Sequence, residues 1–263
     1  MSTEKIIRQQ AKESLRSNWV NIIASVLAFC AVLIAVEGLF YVFCFQFKLV
    51  DIETGVKNKN TLLIYYLSLA VAFVLFLFVS PMINGIVRMV YNTSALGKAE
   101  IYDMFFFFRN GGRYFKTILL NLFFSAIFGI LSFGLDVYGY LSMILDKSIY
   151  DGLSFDVISL ALLGTYILSL LIKALIYFLF VHYPLVAYSM NTDVSYGKYF
   201  FGYIGFSAKN LWKTLKLFFS FAGWIALCFF VVPAFYVVPY LATSMVNSAK
   251  WLFALEKDRG VVC

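Results

Sequence analysis

The sequence predicts an all-α fold: a polytopic membrane helical bundle of six transmembrane helices with cytoplasmic amphipathic segments. Three observations predict it. Of 263 residues, 62% are hydrophobic and 13% charged, whereas soluble domains hold about 45–50% apolar and about 25% charged residues. The apolar residues fall in long runs, and a helix needs about 20 of them to cross hydrocarbon, where the backbone must bond to itself. The basic residues collect in alternate connecting segments.

Residues 1–17 are polar and amphipathic, with Lys5, Arg8, Lys12 and Arg16 interleaved with acids. The apolar run that follows is too long for the core of a signal peptide and lacks a small-residue exit, so it is expected to stay as the first span. That span covers residues 20–45 and holds one acid, Glu37. A polar loop containing KLVDIETGVKNKN leads to the second span, 62–87, interrupted near its end by Ser80, Pro81, Asn84 and Gly85. Residues 88–116 are mixed. Their run MFFFFRNGG is too short to span and reads as an interfacial segment, with Gly111 and Gly112 breaking it before the next helix.

The third span is 114–135, extending past Asp136 with a bend, and residues 146–156 form an acidic turn. The fourth, 157–185, contains Lys173. The segment NTDVSYGKYFFGYIGFSAKNLWK alternates aromatic and basic residues and suits a second interfacial helix. Spans five and six, 215–232 and 241–255, are separated by PAFYVVPY. Proline inside a helix removes a backbone bond, so Pro233 and Pro239 are expected in the outer turn of a hairpin. Phe235, Tyr236 and Tyr240 would then belong to an outer aromatic belt.

Charge gives the orientation. With the N-terminus inside, the inner segments carry 16 Lys and Arg against four outside, namely Lys48, Lys57, Lys59 and Lys147. Cytoplasmic loops hold the excess of basic residues, so both termini are expected in the cytoplasm and residues 1–263 form one integral membrane domain. The stretches 11–23, 111–123 and 207–219 share a switch from polar to apolar residues, which suggests three hairpins with related beginnings.

The net charge of +7 raises the question of nucleic acid. The basic residues lie between apolar runs rather than on one patch, so no nucleic-acid partner is expected. Cys30, Cys44, Cys228 and Cys263 are widely separated and, with a single histidine, leave no metal-ligand spacing. The cysteines are expected to act as small buried side chains. Phosphate loops, HExxH pairs and G-x-S-x-G elbows are all missing, so neither cofactor nor enzyme chemistry is expected.

Four residues form a candidate polar transport or packing site. Glu37 and Lys173 are charges within apolar runs, which in hydrocarbon face a partner, a bundle interior or water. Glu37 fits a proton or cation site, or a packing role near the outer end of its helix. Lys173 fits a pairing or anion-binding role, or a side chain reaching toward water. Asn84, beside Gly85 and Pro81, fits a broken-helix binding feature or close helix packing. His182 fits a proton shuttle or an interfacial hydrogen-bonding residue. Asp136 reads mainly as a solvated helix end.

Four blocks carry a resemblance: AKESLRSNW before the first span, SPMINGIVRMVYN closing the second, SAKNLWKTLKLFFSFAGW at 207–224, and VPYLATSMVNSAKWLF near the C-terminus. With these the chain resembles a bacterial family of uncharacterised six-span integral membrane proteins. The family often has Met-x-Gly where this chain has Leu211, Trp212 and Lys213, so no role is carried over there. The resemblance implies a protein of the bacterial cytoplasmic membrane, with no assigned reaction. The expected function is a non-enzymatic envelope or partner-binding component, touching membrane lipids and a membrane-protein partner. A small-solute or lipid transporter and a lipid-modifying enzyme are the alternatives.

Overall fold

The structure, a computed structural model, describes residues 3–47, 49–51, 55–56, 61–145, 155–192, 197, 202–228 and 231–258. Lys48, Lys57, Lys59, Lys147 and Cys263 lie outside the described residues, as do 146–154 of the expected acidic turn and the side chain of Asp136.

In chain order the elements are α1 (Thr3–Leu15), α2 (Trp19–Gln46), strands β1 (Val50–Asp51) and β2 (Gly55–Val56), and α3 (Thr61–Leu96). A 3-10 helix (Ile101–Phe108) follows, then α4 (Gly111–Leu145), α5 (Phe155–Phe180), α6 (His182–Met190), α7 (Tyr203–Phe219), α8 (Ala222–Leu227) and α9 (Val231–Asp258). The described residues are helical except for connecting turns and one small antiparallel ladder, which pairs Val50 with Val56 and Asp51 with Gly55. By its contacts the chain divides into two compact units, Met1–Ile118 with Leu227–Asn247, and Leu119–Ala226 with Ser248–Cys263.

Among the described residues, three helices are long and apolar enough to cross a membrane: Trp19–Gln46, Leu62–Leu96 and Gly111–Phe133. A fourth crossing is present if Leu168–Phe180 and His182–Met190, which meet at 41°, make one bent span. The first four apolar runs thus emerge as helices, because continuous apolar stretches without turn residues leave the backbone no better way to bond than to itself.

The last two expected spans take a different form. The run 215–232 is divided: α7 ends at Phe219, a turn follows, and α8 has only six residues. The expected turn at 233–240 is helix, because α9 is continuous through Pro233 and Pro239. Pro233 sits in the first turn, where helical N–H groups have no intrahelical partner anyway. Pro239 removes one bond, an amount that tertiary packing offsets, as it does for Pro81 inside α3. Residues 243–249, just beyond, are buried on every side.

In the first unit, α1 is amphipathic. Ile7, Ala11 and Leu15, spaced by four, form its buried face, and Gln9 Nε2 donates to Glu13 Oε1 at 3.0 Å across the opposite surface. The helix stops before Asn18, which precedes α2. Of the three related stretches, 11–23 contains a break between helices, whereas 111–123 and 207–219 each lie within a single helix.

Candidate functional site

Polar side chains of the first unit hold its turns. The turn between α3 and the 3-10 helix contains Gly97, whose φ of +71° is a conformation L side chains rarely adopt. Asn18 grips that turn from both directions: its Nδ2 donates to Gly97 O at 3.0 Å and its Oδ1 accepts from Ala99 N at 2.7 Å. Asn21 Nδ2 donates to Ala99 O at 2.7 Å. Asn18 and Ala99 are buried, so these bonds satisfy backbone groups that water does not reach.

The 3-10 helix lies directly on α3. A Cβ placed on Gly85 would sit 2.7 Å from Met104 Cα, closer than real Cβ atoms approach a backbone. The geometry contains close packing at Gly85, and α3 runs unbroken through Asn84 and Gly85. Asn84 is 1% exposed.

This approach assembles a cluster the sequence reading missed. Arg88, one turn beyond Gly85 on α3, has its Cζ 3.7 Å from the centroid of the Phe106 ring. Arg113, in the first turn of α4, has its Cζ 4.7 Å from the same centroid. Arg109 lies 4.8 Å over Tyr102, and its Nη2 donates to Tyr102 O at 3.4 Å. Asp103 Oδ2 accepts from Asn92 Nδ2 at 2.9 Å. Asp103 attracts Arg88 electrostatically and Arg113 repels it. Asn110 Oδ1 already accepts from the N–H groups of Gly112 and Arg113, capping α4. The signal in the sequence was the interleaving of arginine with aromatics in MFFFFRNGGR, together with Arg88 and Asn92 one turn apart on α3.

The second unit is organised by aromatic rings. Tyr183, fully buried, packs against Phe206 at 4.9 Å, Phe253 at 5.9 Å and His182 at 5.1 Å between centroids. Its hydroxyl hydrogen-bonds with that of Thr214. His182 also meets Tyr177 and Phe178, so it sits among rings at the junction of α5 and α6. Burial pushes the Tyr203 phenol on α7 above its ordinary range. One face of α7 (Phe206, Asn210, Thr214, Leu217) is buried. The other exposes Lys209, Lys213, Lys216, Phe219 and Trp212, the last at 77%.

The four expected site residues are distributed over both units. Glu37 is exposed on α2 and Asn84 is buried, both in the first unit; Lys173 is half-buried and His182 buried, both in the second. Glu37 lies about 27 Å along α2 from Trp19.

Two further expectations change. Tyr236 is stacked on Trp19 with centroids 4.7 Å apart, and Arg8 acts electrostatically on Tyr240. Tyr236 and Tyr240 of the expected belt therefore lie beside the N-terminal segment, on a continuous α9 rather than in a hairpin turn. Among the cysteines, Cys44 is buried and Cys228 half-buried, but Cys30 is exposed on the apolar helix α2. Among the described residues no three His, Cys, Asp or Glu side chains gather in a way that could hold a metal ion.

Comparisons with protein-family models, with curated proteins and with solved structures gave no match to this chain. Fold and site alone define its class: a protein whose described residues are almost entirely helical, with several apolar helices of membrane-spanning length. Within that class it is a chain with arginines stacked on aromatic rings at the α3–α4 junction and a lysine- and tryptophan-bearing face on α7.

Proposed function

We propose that this is a multi-pass protein of the bacterial cytoplasmic membrane, belonging to the uncharacterised family it resembles and acting as a non-enzymatic component through its inner face. Both termini are cytoplasmic. We place four crossings, at α2, α3, α4 and the bent pair α5–α6, in place of the six expected from the sequence. The stacking of Tyr236 on Trp19 supports this count. So does the packing of Phe253 on Tyr203 and Phe206 of α7, a segment that charge places inside. Each half of α9 is then tied to inner-side residues, and the helix stays on that side.

The observation that carries the functional reading is the divided surface of α7. Its buried face holds the second unit together, while three lysines with Trp212 and Phe219 face outward. A helix with basic and aromatic residues on its exposed face suits the boundary of an anionic membrane or the surface of a membrane partner.

Two measurements test the proposal. In a chain whose native cysteines are replaced, single cysteines at positions 57 and 147 should react with an impermeant thiol reagent applied outside. Those at 98, 213 and 236 should react only after the membrane is opened. Outside labelling of position 236 would restore the hairpin of spans five and six. Purified protein in vesicles should leave every lipid mass unchanged; a new lipid product would establish an enzyme instead.

A further inference from the structure

We propose that the outward edge of the 3-10 helix, formed by Tyr102, Phe105 and Phe108, lies among phospholipid chains at the inner boundary of the bilayer, an inference that rests on the membrane orientation given above. The period of the helix is the first reason. With three residues per turn, side chains three apart share an edge. Met104 and Phe107 form one edge and are buried. Asp103 and Phe106 form a second, turned to Asn92 and Arg88 of α3. Tyr102 and Phe105 form the third, exposed at 53% and 46%, and half-buried Phe108 continues it. The four phenylalanines in a row therefore divide. Phe107 belongs to the core and Phe106 to Arg88, which leaves Phe105 and Phe108 for the outer edge.

That edge does not end with the helix. Phe105 meets Phe108 with centroids 6.1 Å apart, Phe108 meets Tyr114 at 5.7 Å, and Tyr114 meets Phe115 at 5.6 Å. Phe115, on α4, is 72% exposed. A row of rings in contact thus leads from the connection onto the apolar surface of a crossing helix. A docking patch for a soluble partner is bounded by a polar rim, whereas this one merges with a surface that the membrane reading gives to lipid.

Contacts with α3 give the depth. Asp103 meets Asn92, Met104 lies against Gly85, and the Tyr114 hydroxyl donates to Leu77 O at 3.3 Å. Asn92 and Leu77 are about 22 Å apart along the helix axis. The connection therefore runs back along α3 from its polar inner end into its apolar part, residues 62–79, which hold no charged side chain. It is also fastened there. Gly85 admits the 3-10 backbone, Asn18 and Asn21 hold the turn before it, and Asn110 caps the helix after it. An exposed aromatic edge carried to that level meets lipid, and Tyr102 at its polar end suits the boundary between chains and headgroups. The α3–α4 connection is then part of the membrane domain and closed to a soluble partner.

The experiment is spin labelling of the full-length protein, its native cysteines replaced, in vesicles of phosphatidylglycerol and phosphatidylethanolamine. Nitroxides are attached to single cysteines in Lys98→Cys, Tyr102→Cys, Phe105→Cys and Phe115→Cys. Their relaxation is enhanced either by oxygen, which concentrates in lipid, or by a water-soluble nickel chelate. Positions 105 and 115 should respond mainly to oxygen and position 98 mainly to nickel, with position 102 between them. All four side chains are exposed, where substitutions change stability little, and thermal melting confirms that each labelled chain is folded.

A response at position 105 dominated by nickel would overturn the proposal by placing the edge in water. Weak responses to both reagents would overturn it by showing that protein covers the edge. Position 115 separates these failures from that of the membrane reading. Oxygen at 115 without oxygen at 105 removes the inserted edge alone. Nickel at 115 as well would mean that α4 does not cross where the reading puts it, and the edge falls with that reading.

Discussion

The two units of this chain solve the same problem by different chemistry. In the first, amide side chains hold backbone: Asn18 and Asn21 bond the peptide groups of Gly97 and Ala99 across some eighty residues of sequence, and Asn92 holds Asp103. In the second, rings hold rings: Tyr183 meets Phe206 and Phe178 meets His182 face to edge, Phe206 and Phe253 pack at a tilt, and the Tyr183–Thr214 hydroxyl pair lies among them. The difference follows from what each must fix. A turn presents N–H and C=O groups that must be bonded when buried, whereas helices packed side by side have already bonded theirs and need only complementary surface. The first unit should therefore fail sharply when one contact is removed, and the second should yield by degrees.

Glycine substitution gives the largest contrast. Gly85→Ala puts a Cβ against the backbone of Met104, which cannot swing aside as a side chain does. The expected destabilisation is about 3 kcal/mol, the upper end for overpacking. Gly205→Ala on α7 meets nothing within 4 Å and should stabilise that helix by about 0.5–1 kcal/mol through reduced freedom of the unfolded chain. Melting temperatures in one detergent check both. Equal and small shifts would show that the 3-10 helix is not seated on α3.

Next in size is the loss of a polar contact from each unit. Asn18→Ala leaves the buried N–H of Ala99 without its acceptor and should destabilise by about 2 kcal/mol. Thr214→Val keeps the shape of the side chain, removes one hydroxyl from the Tyr183 pair and should destabilise by about 1 kcal/mol. Limited proteolysis should show Asn18→Ala opening first near residues 97–99, and Thr214→Val should produce no new site there. The reverse order of stability would mean that the clamp is dispensable and the ring cluster is the more cooperative part.

How far the sequence discloses this architecture depends on the range of each interaction. The apolar runs 20–45, 62–87, 114–135 and 157–185 coincide with helices, because length and hydrophobicity are local properties. The helical character of α7 was legible as far as Lys213, whereas Lys216 and Phe219 on the same exposed face had been expected in the fifth span. The helix across Pro233 and Pro239 was not legible, because a local rule about proline was applied where burial of residues 243–249 prevails. The arginine cluster was missed for another reason. Arg88, Phe106 and Arg113 lie on three different elements, and neither period nor spacing shows that the Gly85–Met104 approach brings them to one ring. Glu37, Lys173 and His182 were conspicuous only because they are polar within apolar runs. His182 turns out to be packed among rings and Glu37 to be exposed.

The smallest expected effect concerns two tryptophans. Trp19 is half-buried and stacked on Tyr236 in the first unit, while Trp212 projects from α7 with 77% of its surface free. In detergent, Trp212→Phe should leave stability within about 0.5 kcal/mol of wild type, as exposed substitutions do. Its consequence should appear in a bilayer. With brominated lipids as quenchers, an indole lying among lipid chains loses its fluorescence and an indole covered by protein keeps it. Removing Trp212 should therefore lower the quenchable share of total emission, while Trp19→Phe should raise it by deleting a protected emitter. If Trp212→Phe leaves the quenchable share unchanged, the outward face of α7 meets water or protein rather than lipid, and its lysines would then serve a partner instead of the membrane surface.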